Sequence, residues 1–465
     1  MTKNDFSDTI VALSTPQGIG AIAVIRLSGT NAIEIVNSIF SGKNLLKQAT
    51  HTIHFGKIVF QNQSIDEVVV SLFVAPHSYT KENVVEISCH GSLYIQQKII
   101  EALIKSGARA AKPGEFTMRA FLNGRFDLSQ AEAVADLIAS DSEASHKTAL
   151  LQMKGGFSTE IKKLREQLIH FASLIELELD FSEEDVEFAN RDDLQSIISE
   201  LQKNIYQLME SFKVGNVIKN GVPVVIAGRP NAGKSTLLNA LVKEERAIVS
   251  DIAGTTRDTI EVPINIDGTI FRLIDTAGIR EASDKIEAIG VKKTYEQIKN
   301  AAILLYVFDV NAMSELEILE DILKLKHEHL VVLLVANKCD LCDEHALGML
   351  EFSINELTEN AYPIFEISAT KQKNINELKE YLLTAVGLHK HLQDSTIVTN
   401  IRHFEALSNC FHALEKVTLA LHHKTTGDFL AQDIRYALTA LGEITGQITT
   451  DDLLDNIFSK FCIGK

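Results

Sequence analysis

The chain has 465 residues, 45% hydrophobic and 23% charged, more than one usual core accommodates, so two to four globular domains are predicted. A formal charge of −17 and a pI near 5.4 argue against a protein that holds nucleic acid on one broad basic face. Residues 1–120 carry 11 Lys and Arg against 9 Asp and Glu, so the acidity lies in the remainder, and any RNA contact is expected to be local or shared with a partner protein.

No run of eighteen apolar residues occurs, and the N-terminus MTKNDFSDTIVAL lacks the basic start, apolar core and cleavage site of a leader. A cytoplasmic protein without membrane association is therefore expected. The five cysteines, at 89, 339, 342, 410 and 462, are odd in number and follow no framework spacing, which predicts reduced thiols. Cys339 and Cys342 form only half a zinc site, and Cys339 lies within a nucleotide motif.

From Thr9 to about Phe121, β-rich runs (IAVIRLSG, KIVF, VVVSLFV) combine with an amphipathic stretch from Ser92 to Ser106, predicting a compact α+β domain over residues 1–120. PQGIGAI has too few glycines for a dinucleotide fingerprint. Helical spacing follows, as at Ile161, Leu164, Leu168, Phe171, Ile175 and Leu179, and predicts long amphipathic helices over 121–217. The acidic run from Asp180 to Asp185 reads as a solvated turn between them.

At VPVVIAG, residues 222–228, a continuous apolar run ends in a Gly-rich loop, as a buried parallel strand would. The runs FRLID, AAILLYVFDV, LVVLLVAN and PIFEIS then alternate with helical patterns, predicting a doubly wound α/β domain over 218–388. Residues 389–465 return to helical periodicity, so the α/β unit reads as an insertion between two parts of one helical domain.

Gly228-Arg-Pro-Asn-Ala-Gly-Lys-Ser235 matches G-x-x-x-x-G-K-[ST] between a strand and a helix, the context a phosphate loop requires. Asn231, Ala232, Gly233 and Thr236 are expected around the phosphates, with Lys234 as a point charge and Ser235 as a Mg²⁺ ligand. Asp275-Thr276-Ala277-Gly278 follows a strand and offers a carboxylate near Mg²⁺ and a glycine N–H near a γ-phosphate. Asn337-Lys338-Cys339-Asp340 ends another strand, and the Asp340 carboxylate suits the N1 and exocyclic-amine hydrogens of guanine, so GTP is expected over ATP. Ser368-Ala369-Thr370 completes the base pocket.

The segment Ser250-Asp251-Ile252-Ala253-Gly254-Thr255-Thr256 occupies the place of a first switch loop, with Thr256 completing the Mg²⁺ shell; a bland polar loop is the alternative. Ile279 stands where many small GTPases carry the water-orienting glutamine, so hydrolysis must be organised otherwise.

With GRPNAGKS, DIAGTTRD, DTAGIREASDKIEAIG, NKCD, FLNGRFDLSQAEA and the terminal FCIGK, the whole chain resembles the TrmE-type family of tRNA-modifying GTPases. The C-x-G-K tail is the most specific element, since no general GTPase logic requires it. The resemblance implies a K⁺-stimulated GTPase with K⁺ held at Asn231, Ser250, Ile252 and Thr255, and Glu287 positioning the attacking water. Without the family, Glu287 reads as a solvated helix charge.

The resemblance further implies an N-terminal domain that dimerises and holds a 5-formyl- or methylene-tetrahydrofolate at Arg26, Glu86, Arg125 and Lys465. Relatives carry Lys in place of Arg125; both are cationic, although their carboxylate geometry differs. Cys462 reads alone as a buried apolar residue or an idle thiol, whereas the family implies a nucleophile or proton donor. His90 reads as a hydrogen-bonded structural histidine.

The activity so implied is addition of a carboxymethylaminomethyl group to the wobble uridine of certain tRNAs, with an FAD-dependent partner of the MnmG type. The alternative is a regulatory or ribosome-assembly GTPase without one-carbon chemistry. Replacing Asp340 with Asn turns a pair of acceptors into a mixed group, so Asp340→Asn is expected to lose its preference for GTP over xanthosine triphosphate in nucleotide competition.

Overall fold

The computed structural model describes residues 8–180, 191–244, 261–275, 297–299, 301–327, 330–342, 344–358, 362–386, 396–423 and 427–464. They form two compact units, one of residues 1–138, 149–206 and 405–465, the other of 139–148 and 207–404.

The first unit contains a seven-stranded sheet in the order β3-β4-β5-β6-β2-β1-β7. Its strands are β1 (Ile10–Leu13), β2 (Ile22–Ser28), β3 (Phe40–Ser41), β4 (Thr52–Phe60), β5 (Gln63–Phe73), β6 (Val84–His90) and β7 (Arg109–Ala110). All neighbours are antiparallel except β1 and β7.

Alternation decides which face each side chain takes. Ile25, Leu27, Ile58, Val70 and Ile87 enter a core with Val36 and Leu103, from the helices Ala32–Ile39 and Leu93–Lys105. Residues of opposite parity face the other way: Ile10 and Ala12 pack with Phe116 of the helix Glu115–Leu122. Arg26 pairs with Ala12 in register and shares that second face.

The same unit contains the long helices anticipated from periodicity. In Gly156–Asp180, Ile161, Leu164, Leu168, Phe171 and Ile175 are buried, and the helix packs along Gly427–Thr445. Residues 181–190, with most of the acidic turn, lie outside the described residues. The C-terminal helix Asp451–Phe458 buries Leu454 and Phe458 with Met118, Leu128 and Phe461, tying the chain's end to the start of the helical region.

The second unit is a doubly wound α/β layer, a six-stranded sheet in the order β13-β12-β11-β8-β10-β9. Its strands are β8 (Val222–Ala227), β9 (Glu261–Ile266), β10 (Thr269–Asp275), β11 (Ile303–Asp309), β12 (Val331–Asn337) and β13 (Ile364–Ile367). Every pairing is parallel except β9 with β10. Separate apolar clusters cover its two faces, which is why β11 and β12 read as unbroken apolar runs. Among the described residues no helix is long and apolar enough to cross a membrane.

Arg119 is fully buried and meets Glu115 at 3.1 Å, Asp8 at 2.6 Å and Glu82 at 3.4 Å. Burial pushes the Glu115 carboxyl up, but the Arg109 guanidinium, the Lys112 N–H and the charge of Arg119 outweigh it and hold the group below its ordinary 4.5. A carboxylate with a depressed folded pKa contributes stability above its unfolded value and loses it as pH falls through the folded one. Unfolding free energy should therefore be level above about pH 5 and decline below it, with a shallower decline in Glu115→Gln, as read by urea titration. Arg119→Met should cost about 3–5 kcal/mol near neutral pH, because it takes a buried cation from the buried Glu115 carboxylate and from the partly buried Asp8 and Glu82.

Candidate nucleotide site and arginine cluster

The sheet of the second unit brings the nucleotide motifs to the C-terminal ends of parallel strands, where open α/β folds bind ligands. The phosphate loop follows β8, and Lys234 opens the helix Lys234–Glu244. Lys234 is buried, its Nζ donating to the carbonyls of Gly228 and Arg229 at 3.0 Å each. The loop is thus curled around its own lysine. Asn231 takes a left-handed conformation with φ 63°, Ala232 is buried, and Ser235 and Thr236 are exposed in the first helical turn.

Asn337 joins the pieces. Its side chain, 3% exposed, donates from Nδ2 to the Ala232 carbonyl at 2.8 Å and accepts the Ala369 N–H on Oδ1 at 3.1 Å. Gly233 has a φ of 96°, and a Cβ there would stand 2.1 Å from Asn337 Nδ2, so this close approach requires glycine.

Lys338 ion-pairs with Asp309 at 2.6 Å, and Cys339 is buried beside them in sequence. Asp340 is held below the usual carboxylate range, first by a hydrogen bond from Ser368 and then by Lys371, whose Nζ lies 3.2 Å away. An ionised acceptor is what the guanine edge needs. Ser368 and Ala369 are buried and Thr370 is exposed after β13.

Asp275 ends β10 in register with Ile226 of β8. Its followers Thr276, Ala277, Gly278 and Ile279 lie outside the described residues, as do Ser250, Asp251, Ile252, Ala253, Gly254, Thr255, Thr256 and Glu287. A curled loop, an inward lysine and an exposed serine at the helix start fit a Mg²⁺-nucleotide.

In the first unit, Arg26 and Glu86 are cross-strand partners in register, and Arg26 Nη2 meets Glu86 Oε1 at 2.8 Å. The Arg26 guanidinium lies 5.4 Å from the Tyr79 ring centre, and that of Arg125 lies 4.9 Å from the same ring. Arg125 also donates to the Ser78 carbonyl at 2.8 Å. Three of the four residues anticipated for folate therefore converge. Glu86, Arg125 and Tyr79 line a cavity of about 510 Å³ with His51, His77 and Lys81. Two guanidiniums beside one carboxylate leave cationic character that suits an anionic, ring-bearing ligand.

Lys465 lies outside the described residues, but Gly464 carries the tail to the cluster. Its carbonyl accepts from Arg26 Nη1 at 3.4 Å and from Ser14 Oγ at 3.2 Å. Its φ is 93°, and a Cβ would stand 2.2 Å from the Leu13 carbonyl, which explains the glycine of C-x-G-K. The Cys462 carbonyl accepts the Gly114 N–H at 3.3 Å and its side chain is exposed, so it is not a buried apolar residue. His90 is exposed, with Nδ1 2.8 Å from Asp66 Oδ1.

Sequence reading missed Tyr79, Asp309 and the Arg229 anchorage, in which Nε donates to Asp321 at 2.9 Å and Nη1 to Glu317. Only Asp309 left a signal, as an acid closing the apolar run AAILLYVFDV.

Residues 128–462 match the MnmE helical domain, and residues 9–125 match the N-terminus of the GTP-binding protein TrmE. The chain is 57% identical to the tRNA modification GTPase MnmE of Cytophaga hutchinsonii, over 100% of this chain and 99% of the relative. It is 53% identical to the protein of that name in Christiangramia forsetii, over 99% of each. Among solved structures, a variant of Aquifex aeolicus Era bound to GDP.AlF4- is 28% identical with a TM-score of 0.30, covering 41% of this chain and 66% of its own.

Asn337→Ala would leave the Ala232 carbonyl and the Ala369 N–H without their buried partner, a cost of about 1–3 kcal/mol for each group. Affinities for GTP and GDP should fall together by about tenfold to a hundredfold in a fluorescent-nucleotide titration.

Proposed function

Because the chain belongs to the MnmE family of tRNA modification GTPases, we propose that it couples K⁺-stimulated GTP hydrolysis to carboxymethylaminomethylation of the wobble uridine of certain tRNAs. The observation that carries the GTPase reading is the double hydrogen bond of Asn337, which joins the phosphate loop to the turn of the base pocket. Lys234 supplies positive charge to the phosphates, and Asp340 accepts from the guanine edge. Ser235 and Thr256 would hold Mg²⁺, with Asp275 beside it, and the ion would neutralise charge on the phosphate oxygens.

Asn231, Ser250, Ile252 and Thr255 would hold K⁺, which would stabilise charge developing between the phosphates in place of an arginine finger. Glu287 positions the attacking water, a task that Ile279 cannot perform.

The second site takes a tetrahydrofolate carrying a formyl or methylene unit as the one-carbon donor. The convergence of Arg26, Glu86 and Arg125 about Tyr79 supports this, as does the tail carbonyl of Gly464 on Arg26. Lys465 adds a cation, and Cys462 serves as nucleophile or proton donor with its exposed thiol. We assign residues 1–120 to folate binding and homodimerisation, 121–217 with 389–465 to the helical domain, and 218–388 to the GTPase domain. The chain acts in the cytoplasm with an FAD-dependent partner of the MnmG type and tRNA, the partner supplying much of the basic surface that a chain of charge −17 lacks.

Hydrolysis should run much faster in K⁺ than in Na⁺ at matched ionic strength, and Asn231→Ala should flatten the difference; equal wild-type rates would remove K⁺ from the reading. Cys462→Ser should hydrolyse GTP normally yet abolish modification, whereas Glu287→Ala should bind GTP but not turn it over. Phosphate release measured beside reconstituted tRNA modification, with folate and the partner present, distinguishes the two. Wild-type modification by Cys462→Ser would reduce that residue to packing.

A further inference from the structure

Among the described residues, the nucleotide site contains an ion pair that neither the phosphate loop nor the base motif requires. Asp309 closes β11 in register with Asn337, the last residue of β12. Its carboxylate is used at both ends: Oδ1 accepts the Asn311 N–H at 3.0 Å, and Oδ2 accepts from Lys338 Nζ at 2.6 Å. The turn after Asp309 is closed again by the Ala312 N–H, which donates to the Asp309 carbonyl at 3.1 Å. The carboxylate therefore stands on a fixed base.

The lysine it grips is itself unusual. Lys338 has a φ of 66°, a left-handed conformation that long L side chains rarely adopt. Such a backbone persists where its surroundings over-determine it. Here they do so from two sides, with Asn337 held between the Ala232 carbonyl and the Ala369 N–H, and the lysine tip held by Asp309.

We infer that Asp309 is a positioning residue of the base pocket: by anchoring the Lys338 ammonium on the neighbouring strand, it sets the four-carbon stem as an apolar wall against the face of the guanine ring. The inference rests on the reading of this site as a guanine pocket. A free lysine would lose rotamer freedom whenever a nucleotide bound, and affinity would fall accordingly. An anchored lysine is ordered before the ligand arrives. The wall meets the face of the base, not the edge that Asp340 reads, so Asp309 governs how tightly purine nucleotides bind and not which purine is chosen. Its contacts are with Asn311, Ala312 and Lys338 and not with the phosphate loop, so it should not govern turnover.

Asp309→Asn keeps the size of the side chain and the acceptor for Asn311 but loses the charge that grips Lys338. The expected result is a rise of about tenfold in Kd for GDP and in KM for GTP, with kcat within about twofold and melting temperature nearly unchanged. The affinity ratio of GTP to ITP, which lacks the exocyclic amine, should stay as in the wild type, in contrast to Asp340→Asn. Asp309→Glu, which restores a carboxylate, should recover most of the affinity.

If Asp309→Asn does not fold, Lys338→Met tests the pair from the other side: it retains an apolar stem without the ammonium and should show the same loss with the same GTP to ITP ratio. Unchanged affinity, a loss confined to kcat, or an altered ratio would overturn the assignment. Failure of the wild-type chain to bind guanine nucleotides would overturn the reading of the site itself.

Discussion

The nucleotide half of the structure depends on the buried amide of Asn337. One side chain satisfies a carbonyl of the phosphate loop and an N–H of the turn after β13, two segments that have no backbone pairing with each other. At 3% exposure the amide is shut off from bulk water, so its removal would leave a buried carbonyl and a buried N–H each short of a partner. The close approach of Gly233 follows from the same demand, and so does the position of Lys338, whose backbone leaves β12 in a left-handed turn directly after the amide. The loop after β8 and the turn after β13 are thus held in one frame.

Much of this frame was legible in the sequence because its signals are local. β11 and β12 are covered on both faces and so read as apolar runs, and the motifs lie at the strand ends, where such folds expose backbone to ligands. The long helix Gly156–Asp180 was legible for a similar reason: a single buried stripe imposes a period that survives in the residue order. The family resemblance carried the rest of the site assignments, and it rested on short strings, not on geometry.

What local pattern could not yield is pairing across distance. Arg26 and Glu86 are 60 residues apart and meet only because β2 and β6 align in one register; a slip of one residue would turn either side chain to the opposite face. Tyr79 lies in a loop with no periodicity to mark it, yet it is the ring on which both guanidiniums rest. The Arg119 cluster is similar, since its acids come from Asp8, Glu82 and Glu115, and only the folded sheet explains a buried cation.

The docking of the tail has a consequence for how the protein is made. The Gly464 carbonyl reaches an arginine 438 positions earlier in the chain, and Gly114 donates to Cys462. While the chain is being synthesised, the strands bearing Arg26 and Glu86 can pair long before the residues that complete their surroundings exist. The tail residues have not been made when the N-terminal sheet is able to fold, so the cluster cannot close until Gly464 has been synthesised and has left the ribosome. Closure is then a late, long-range step that joins the first strand pair to a residue 438 positions after Arg26.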